Sequence, residues 1–154
     1  MVQTFSIRSD QIARYLGSAF LNATRIVIVS PWVSDIKVKV PETDQIDDRE
    51  LLLSQAVNQF DVNVTFVVDP ANNAHNRLRA QALLPKVSSH ATIETVDNLH
   101  AKAIVTDQIL YQGSANVTYH GLNVNVELCD LRENEYEDAN DFLRERIGLE
   151  LGES

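Results

Sequence analysis

The chain has 154 residues, 44% of them hydrophobic, which suits one folded domain spanning 1–154 and excludes a disordered polypeptide. The formal net charge of −9 is unevenly spread: residues 127–154 hold ten acids and three bases, or −7, which argues against that segment meeting a polyanion. Cys129 is the only cysteine, excluding an internal disulfide, and no apolar run approaches the roughly 20 residues of a bilayer span.

Met1 to Asp10 is mixed polar and lacks the apolar core of a signal peptide, so the expectation is a soluble, cytoplasmic protein with no membrane partner. Ser9 is a candidate cap for a helix over Gln11 to Leu21, where Ile12, Tyr15, Leu16, Ala19 and Phe20 recur at helical spacing. Arg25 to Ser30 is a β-branched run closed by Pro31 and reads as a buried strand. Trp32 to Ile46 has no clear period and reads as a loop with a short extended piece around the alternation Ile36 to Val40. Asp47 or Asp48 can cap a helix running to about Phe60.

Val62 to Val68 is a second β-branched strand, stopped by Asp69-Pro70. Ala71 to Leu84 suits a helix ended by Pro85, and Thr92 to Val96 alternates as a strand. Ala101 to Thr106 and Ile109 to Gln112 read as strands joined tightly at Asp107-Gln108. Asn125 to Leu131 is a last strand, and Glu135 to Ile147 an amphipathic helix with Ala139, Phe142, Leu143 and Ile147 on its apolar face. The alternation of strands and helices implies an α/β fold: a mixed, largely parallel central sheet flanked by helices on both faces.

The chemistry concentrates after residue 99. His100 and Lys102 are two apart on an expected strand, so their side chains share one face. An imidazole serves as nucleophile or acid–base group near neutral pH. An ammonium beside it stabilises charge on phosphate oxygens. Gly113 lets the backbone approach an anion closely, and Ser114 and Asn116 add neutral donors. Glu127 can orient one imidazole nitrogen and stabilise the imidazolium. Asp107 has the opposite parity to His100 and sits at the turn, which gives it a structural role.

His100, Lys102 and Asp107 reproduce the HxKxxxxD signature, and Gly113, Ser114 and Asn116 the following GSxN, of the phospholipase D superfamily, which this chain resembles over residues 99–128. Glu127 matches the downstream acid of that family. The first motif alone arises by chance in roughly one chain in a hundred of this length, and the second lowers those odds by a further factor of several thousand or so. One departure is that five residues separate Asp107 from Gly113 where the family commonly has six, which a tighter hairpin turn absorbs.

The resemblance implies a phospholipase D-like fold and a phosphodiesterase needing no metal and no cofactor. His100 would be the nucleophile that forms a phosphohistidine, Lys102 and Asn116 the phosphate clamp, and Glu127 the group orienting His100. The family uses two motifs, and His75, His90 and His120 each lack a lysine two residues on. The resemblance therefore implies a homodimer sharing one site, as in the small single-motif nucleases of the superfamily.

The leading expectation is a small nuclease acting on nucleic acid, with the acidic balance leaving room for a larger partner that delivers substrate. The alternatives are a phospholipase D or phospholipid transferase, and a dimerising phosphate-binding accessory module. His75 and His90 read as surface residues, while His120 lies just past the Asn116 loop. Trp32 reads as a core residue, with substrate stacking as the alternative at a strand end. Arg77, Arg79 and Lys86 read as a solvated helix face, and Cys129 as a buried thiol.

Overall fold

The computed structural model describes residues 4–7, 11–41, 49–69, 83–107, 109–113, 117, 129–134 and 139–148. In chain order the elements are β1 (Thr4–Ile7), α1 (Ile12–Asn22), β2 (Arg25–Val29), β3 (Lys37–Val40), β4 (Arg49–Leu52), α2 (Leu53–Gln59) and β5 (Asn63–Val68). There follow α3 (Leu84–Val87), β6 (Thr92–Thr95), β7 (Ala103–Thr106), β8 (Ile109–Gly113), β9 (Cys129–Glu133) and α4 (Ala139–Phe142). A π-helical turn, Leu143–Ile147, continues α4 and closes on Gly148, whose left-handed φ of 78° suits a helix C-terminus.

Seven strands form one sheet in the order β1-β9-β8-β7-β2-β5-β6. Only β2–β5 and β5–β6 are parallel; β1–β9, β9–β8, β8–β7 and β7–β2 are antiparallel. The sheet is mixed, as expected, but it is not largely parallel. Parallel neighbours need a crossover between them, and the alternation of helix and strand supplies that only for β2, β5 and β6. The β7–β8 hairpin and the long-range pairings of β9 and β1 make the other half antiparallel.

β2 and β5 are covered on both faces of the sheet, which is why they are unbroken β-branched runs. Ile26, Ile28, Val64, Phe66 and Val68 join α1, α2 and β3 in the larger core. Val27, Val29, Val67, Val105 and Leu110 face the other way, onto Leu99, Phe142 and Leu143. Helices therefore flank both faces. In α1, Ile12, Leu16, Ala19 and Phe20 are buried while Tyr15 is 38% exposed. At Gly17 the helix crosses β3 backbone to backbone, so an added Cβ would overlap the carbonyl of Lys39.

Several local expectations change. Residues 49–52 are not the start of a helix but β4, antiparallel to β3, and together they form a second, two-stranded sheet. α2 begins only at Leu53, and its first turn is capped from 19 residues upstream. There the Asp35 carboxylate accepts from the Ser54 N–H (2.8 Å) and Oγ (2.7 Å), and pairs with Lys86 Nζ (3.2 Å). Lys86 is thus engaged with a buried acid rather than idle on a solvated face.

Pro85 lies inside the single turn of α3 instead of ending a helix. The Ala71 to Leu84 helix falls outside the described residues up to residue 82, as do Ser9, His75, Arg77, Arg79, His120 and residues 125–128 of the expected last strand. That strand is found at Cys129–Glu133; the Cys129 side chain is outside what is described. β1 was not expected at all. No helix among the described residues is long and apolar enough to cross a membrane.

Candidate active site

The end of the sheet that carries the motif gathers the C-terminal ends of β2, β5, β6 and β8 and the N-terminal ends of β7 and β9. His100 reaches it through a tight reversal after β6. Asn98 adopts a left-handed φ of 60°, which asparagine tolerates better than most residues. Leu99, 5% exposed, then anchors the chain in the core under Val29 and Ala103. The next side chain, His100, is exposed, and Lys102 is half-buried.

Neither residue is on the strand expected from the sequence, since β7 begins at Ala103. The ladder nonetheless reaches one residue further, because the Lys102 carbonyl accepts from the Gly113 N–H at 3.3 Å. The lysine ammonium makes a long contact, 3.4 Å, with the His100 carbonyl. That contact is too long to hold the side chain firmly, so the ammonium can turn to an incoming anion.

The β7–β8 hairpin turns tightly at the end away from His100: Val105 pairs with Leu110 and Ile104 with Tyr111, and β7 ends at Thr106 while β8 begins at Ile109. Thr106 Oγ1 closes the turn by accepting from the Ile109 N–H at 2.9 Å. At the other end of the hairpin Gly113 meets Lys102.

Asp107 itself is at the opposite end of β7 from His100. Its carboxylate accepts from the Thr24 N–H at 3.0 Å and, more weakly, from the Arg25 N–H at 3.5 Å. It thereby ties the hairpin turn to the start of β2 and fixes β7 against the central strand. Asp107→Ala is expected to cost about 1–2 kcal/mol of stability. Asp107→Asn, which keeps an acceptor, should cost less. Urea unfolding midpoints would show this, and equal stabilities for all three proteins would count against the tie.

Ser114, Asn116 and Glu127 fall outside the described residues, but both neighbours of the 114–116 segment are placed. Gly113 is held by Lys102. Val117 is held by Ser30 and Ser34: its N–H donates to Ser30 Oγ at 3.0 Å, and its carbonyl accepts from the Ser34 N–H at 3.0 Å. Ser30 is fully buried, and its hydroxyl also donates to the Trp32 carbonyl at 2.6 Å. In the sequence Ser30 stands only as the last residue of a run closed by Pro31. Its partner lies 87 residues away, so no local signal marks it.

Trp32 is not a core residue: it stands 40% exposed just past the end of β2. His90 is exposed in the turn before β6, with Nδ1 2.9 Å from Ser89 Oγ, and takes no part in this site.

No family model matches the chain, and no curated protein matches it in sequence. Solved structures do match its shape. NucT from Helicobacter pylori superposes with a TM-score of 0.60 at 14% identity, over 87% of each chain. Nuc from Salmonella typhimurium, a phospholipase D family member, gives 0.57 at 20% identity, over 87% of this chain and 83% of its own. Polyphosphate kinase from Porphyromonas gingivalis gives 0.54 at 15% identity, but the match spans only 26% of that much longer protein. The chain shares the fold of Nuc, itself a phospholipase D family member, and of NucT along most of its length.

Proposed function

We propose that this chain is a metal-independent phosphodiesterase that hydrolyses nucleic-acid phosphodiester bonds through a phosphohistidine, in an active site completed by a second copy of itself. The observation that carries this reading is the placement of His100 and Lys102. They sit on one short segment at an open end of the sheet, with the imidazole exposed and the Lys102 backbone bonded to Gly113, which opens the second motif.

In the proposed reaction an imidazole nitrogen of His100 attacks phosphorus. An N–P bond forms and the P–O bond to the leaving group breaks. The leaving oxygen takes a proton from the His100 of the second copy, which then accepts a proton from water. That water attacks phosphorus, breaks the N–P bond and frees His100. The Lys102 ammonium offsets charge on the non-bridging oxygens throughout. Ser114 and Asn116 complete the phosphate clamp, and Glu127 orients the His100 ring.

Residues 1–154 hold one motif, and in this reading a second copy supplies the other half of the chemistry. The likeness to Nuc and NucT along most of the chain favours nucleic acid over lipid. With only four lysines and nine arginines in the sequence, binding should rest on few phosphate contacts and weaken modestly with salt.

The test is cleavage of end-labelled single- and double-stranded DNA and RNA in EDTA, with light scattering on the same sample. Cleavage by a species near twice 17.3 kDa is the expected result. Intact substrates across a range of salt, with headgroup released from phosphatidyl micelles instead, would overturn the nucleic-acid reading. A clean monomer would overturn the homodimer and direct the search to a different partner chain.

A further inference from the structure

Among the described residues, three large hydrophobic side chains are substantially exposed: Tyr15, Leu21 and Trp32. Leu21 lies at the end of α1 that leads into the start of β2, away from the motif, and Tyr15 lies on the same helix. Trp32 alone of the three stands at the motif end of the sheet. β2 and β7 run antiparallel with Val29 opposite Ala103. Trp32 lies three residues past Val29 and His100 three residues before Ala103, so both stand off the same end of the sheet.

The backbone around Trp32 is fixed on both sides. Its carbonyl accepts from the buried Ser30 hydroxyl at 2.6 Å. Val33, 2% exposed, bridges to Val117, the residue that closes the second-motif segment. At 40% exposure the indole presents part of a large flat apolar surface at this end of the sheet, the kind of face on which a planar ligand stacks. Because the backbone is already ordered, an indole here can receive a flat ligand with little further loss of entropy. Basic residues are few, so affinity for a polyanion must draw on something other than charge, and base stacking is the sequence-tolerant alternative.

We propose that Trp32 is a stacking platform for an unpaired nucleobase of the substrate, next to the phosphodiester that His100 attacks. This rests on the reading of the site as one for nucleic acid. It assigns the residue a role in binding the base, not in the chemical step, and it favours single-stranded over double-stranded substrate, whose bases are already stacked.

Trp32 is the only tryptophan in the chain, so its fluorescence reports on this position alone. The experiment adds a short single-stranded oligonucleotide, and an abasic sugar-phosphate chain of equal length, to the His100→Ala protein. Quenching by the oligonucleotide and not by the abasic chain is expected. In an otherwise wild-type background, Trp32→Ala should raise KM for the oligonucleotide about ten-fold more than for the abasic chain, with Trp32→Phe recovering much of the difference.

Equal quenching by both ligands, or equal losses on both substrates, would overturn the proposal. So would emission that responds to protein dilution and not to oligonucleotide, which would place the indole in a contact between copies. Failure of hydrolysis is a separate outcome. If the wild type cuts nothing and base-specific quenching remains, the stacking platform stands and the enzymatic reading falls. If oligonucleotides are cut without base-specific quenching, the reverse holds.

Discussion

Replacing His100 with alanine is expected to lower turnover of a single-stranded oligonucleotide by roughly 10⁴-fold or more, because in the proposed mechanism it removes both the nucleophile and, in the second copy, the acid. The side chain is exposed and carries no packing of its own, so the variant should fold and dimerise like the wild type. Lys102→Ala should cost less, about 10²–10³-fold, since an electrostatic clamp is lost and the nucleophile stays.

Mixing sharpens the test. If one site needs both histidines, co-refolding equal amounts of wild type and His100→Ala should leave about a quarter of the wild-type activity per dimer, the fraction of dimers with two intact chains. Independent sites would leave about half. Residual activity within ten-fold of wild type in pure His100→Ala would place the nucleophile elsewhere.

The parts of this molecule that the sequence reveals are those whose cause is local. β2 and β5 are legible because burial on both faces forces an unbroken apolar run, and α1 because one helix face packs on the sheet. The candidate pair His100 and Lys102 is legible because both residues lie in one short segment. What the sequence hides is decided at a distance. Residues 49–52 carry two leucines and an acid in a helix-like pattern that runs on into α2, yet the carboxylate seen capping this helix is Asp35, 19 residues upstream, while Asp47 and Asp48 lie outside the described residues. β1 is four residues long and exists by pairing Thr4 with Arg132 and Phe5 with Leu131. Ser30 looks like no more than the end of a strand until the Val117 N–H, 87 residues away, is found bonded to its hydroxyl.

The largest expected effect on stability lies far from the chemistry, at Gly17. Helix propensity alone predicts that Gly17→Ala stabilises α1 by about 1 kcal/mol, since alanine loses less backbone entropy. Space predicts the opposite. The new Cβ would overlap the carbonyl oxygen and carbon of Lys39 in the middle of β3, where backbone and not a flexible side chain must give way. Moving β3 off α1 would loosen Val38 and Val40 and reopen the surface of Leu16 and Phe20, all now buried. Overpacking of this kind outweighs the propensity gain, and a net loss of about 3 kcal/mol is expected, or roughly 6–12 °C in melting temperature. Gly148→Ala is the control. That glycine has a φ of 78° and nothing within 4 Å of an added Cβ, so only the left-handed backbone is penalised, by about 1 kcal/mol. Equal losses at the two glycines would mean that conformation and not space governs Gly17, and a stabilised Gly17→Ala would mean that α1 and β3 are not in backbone contact.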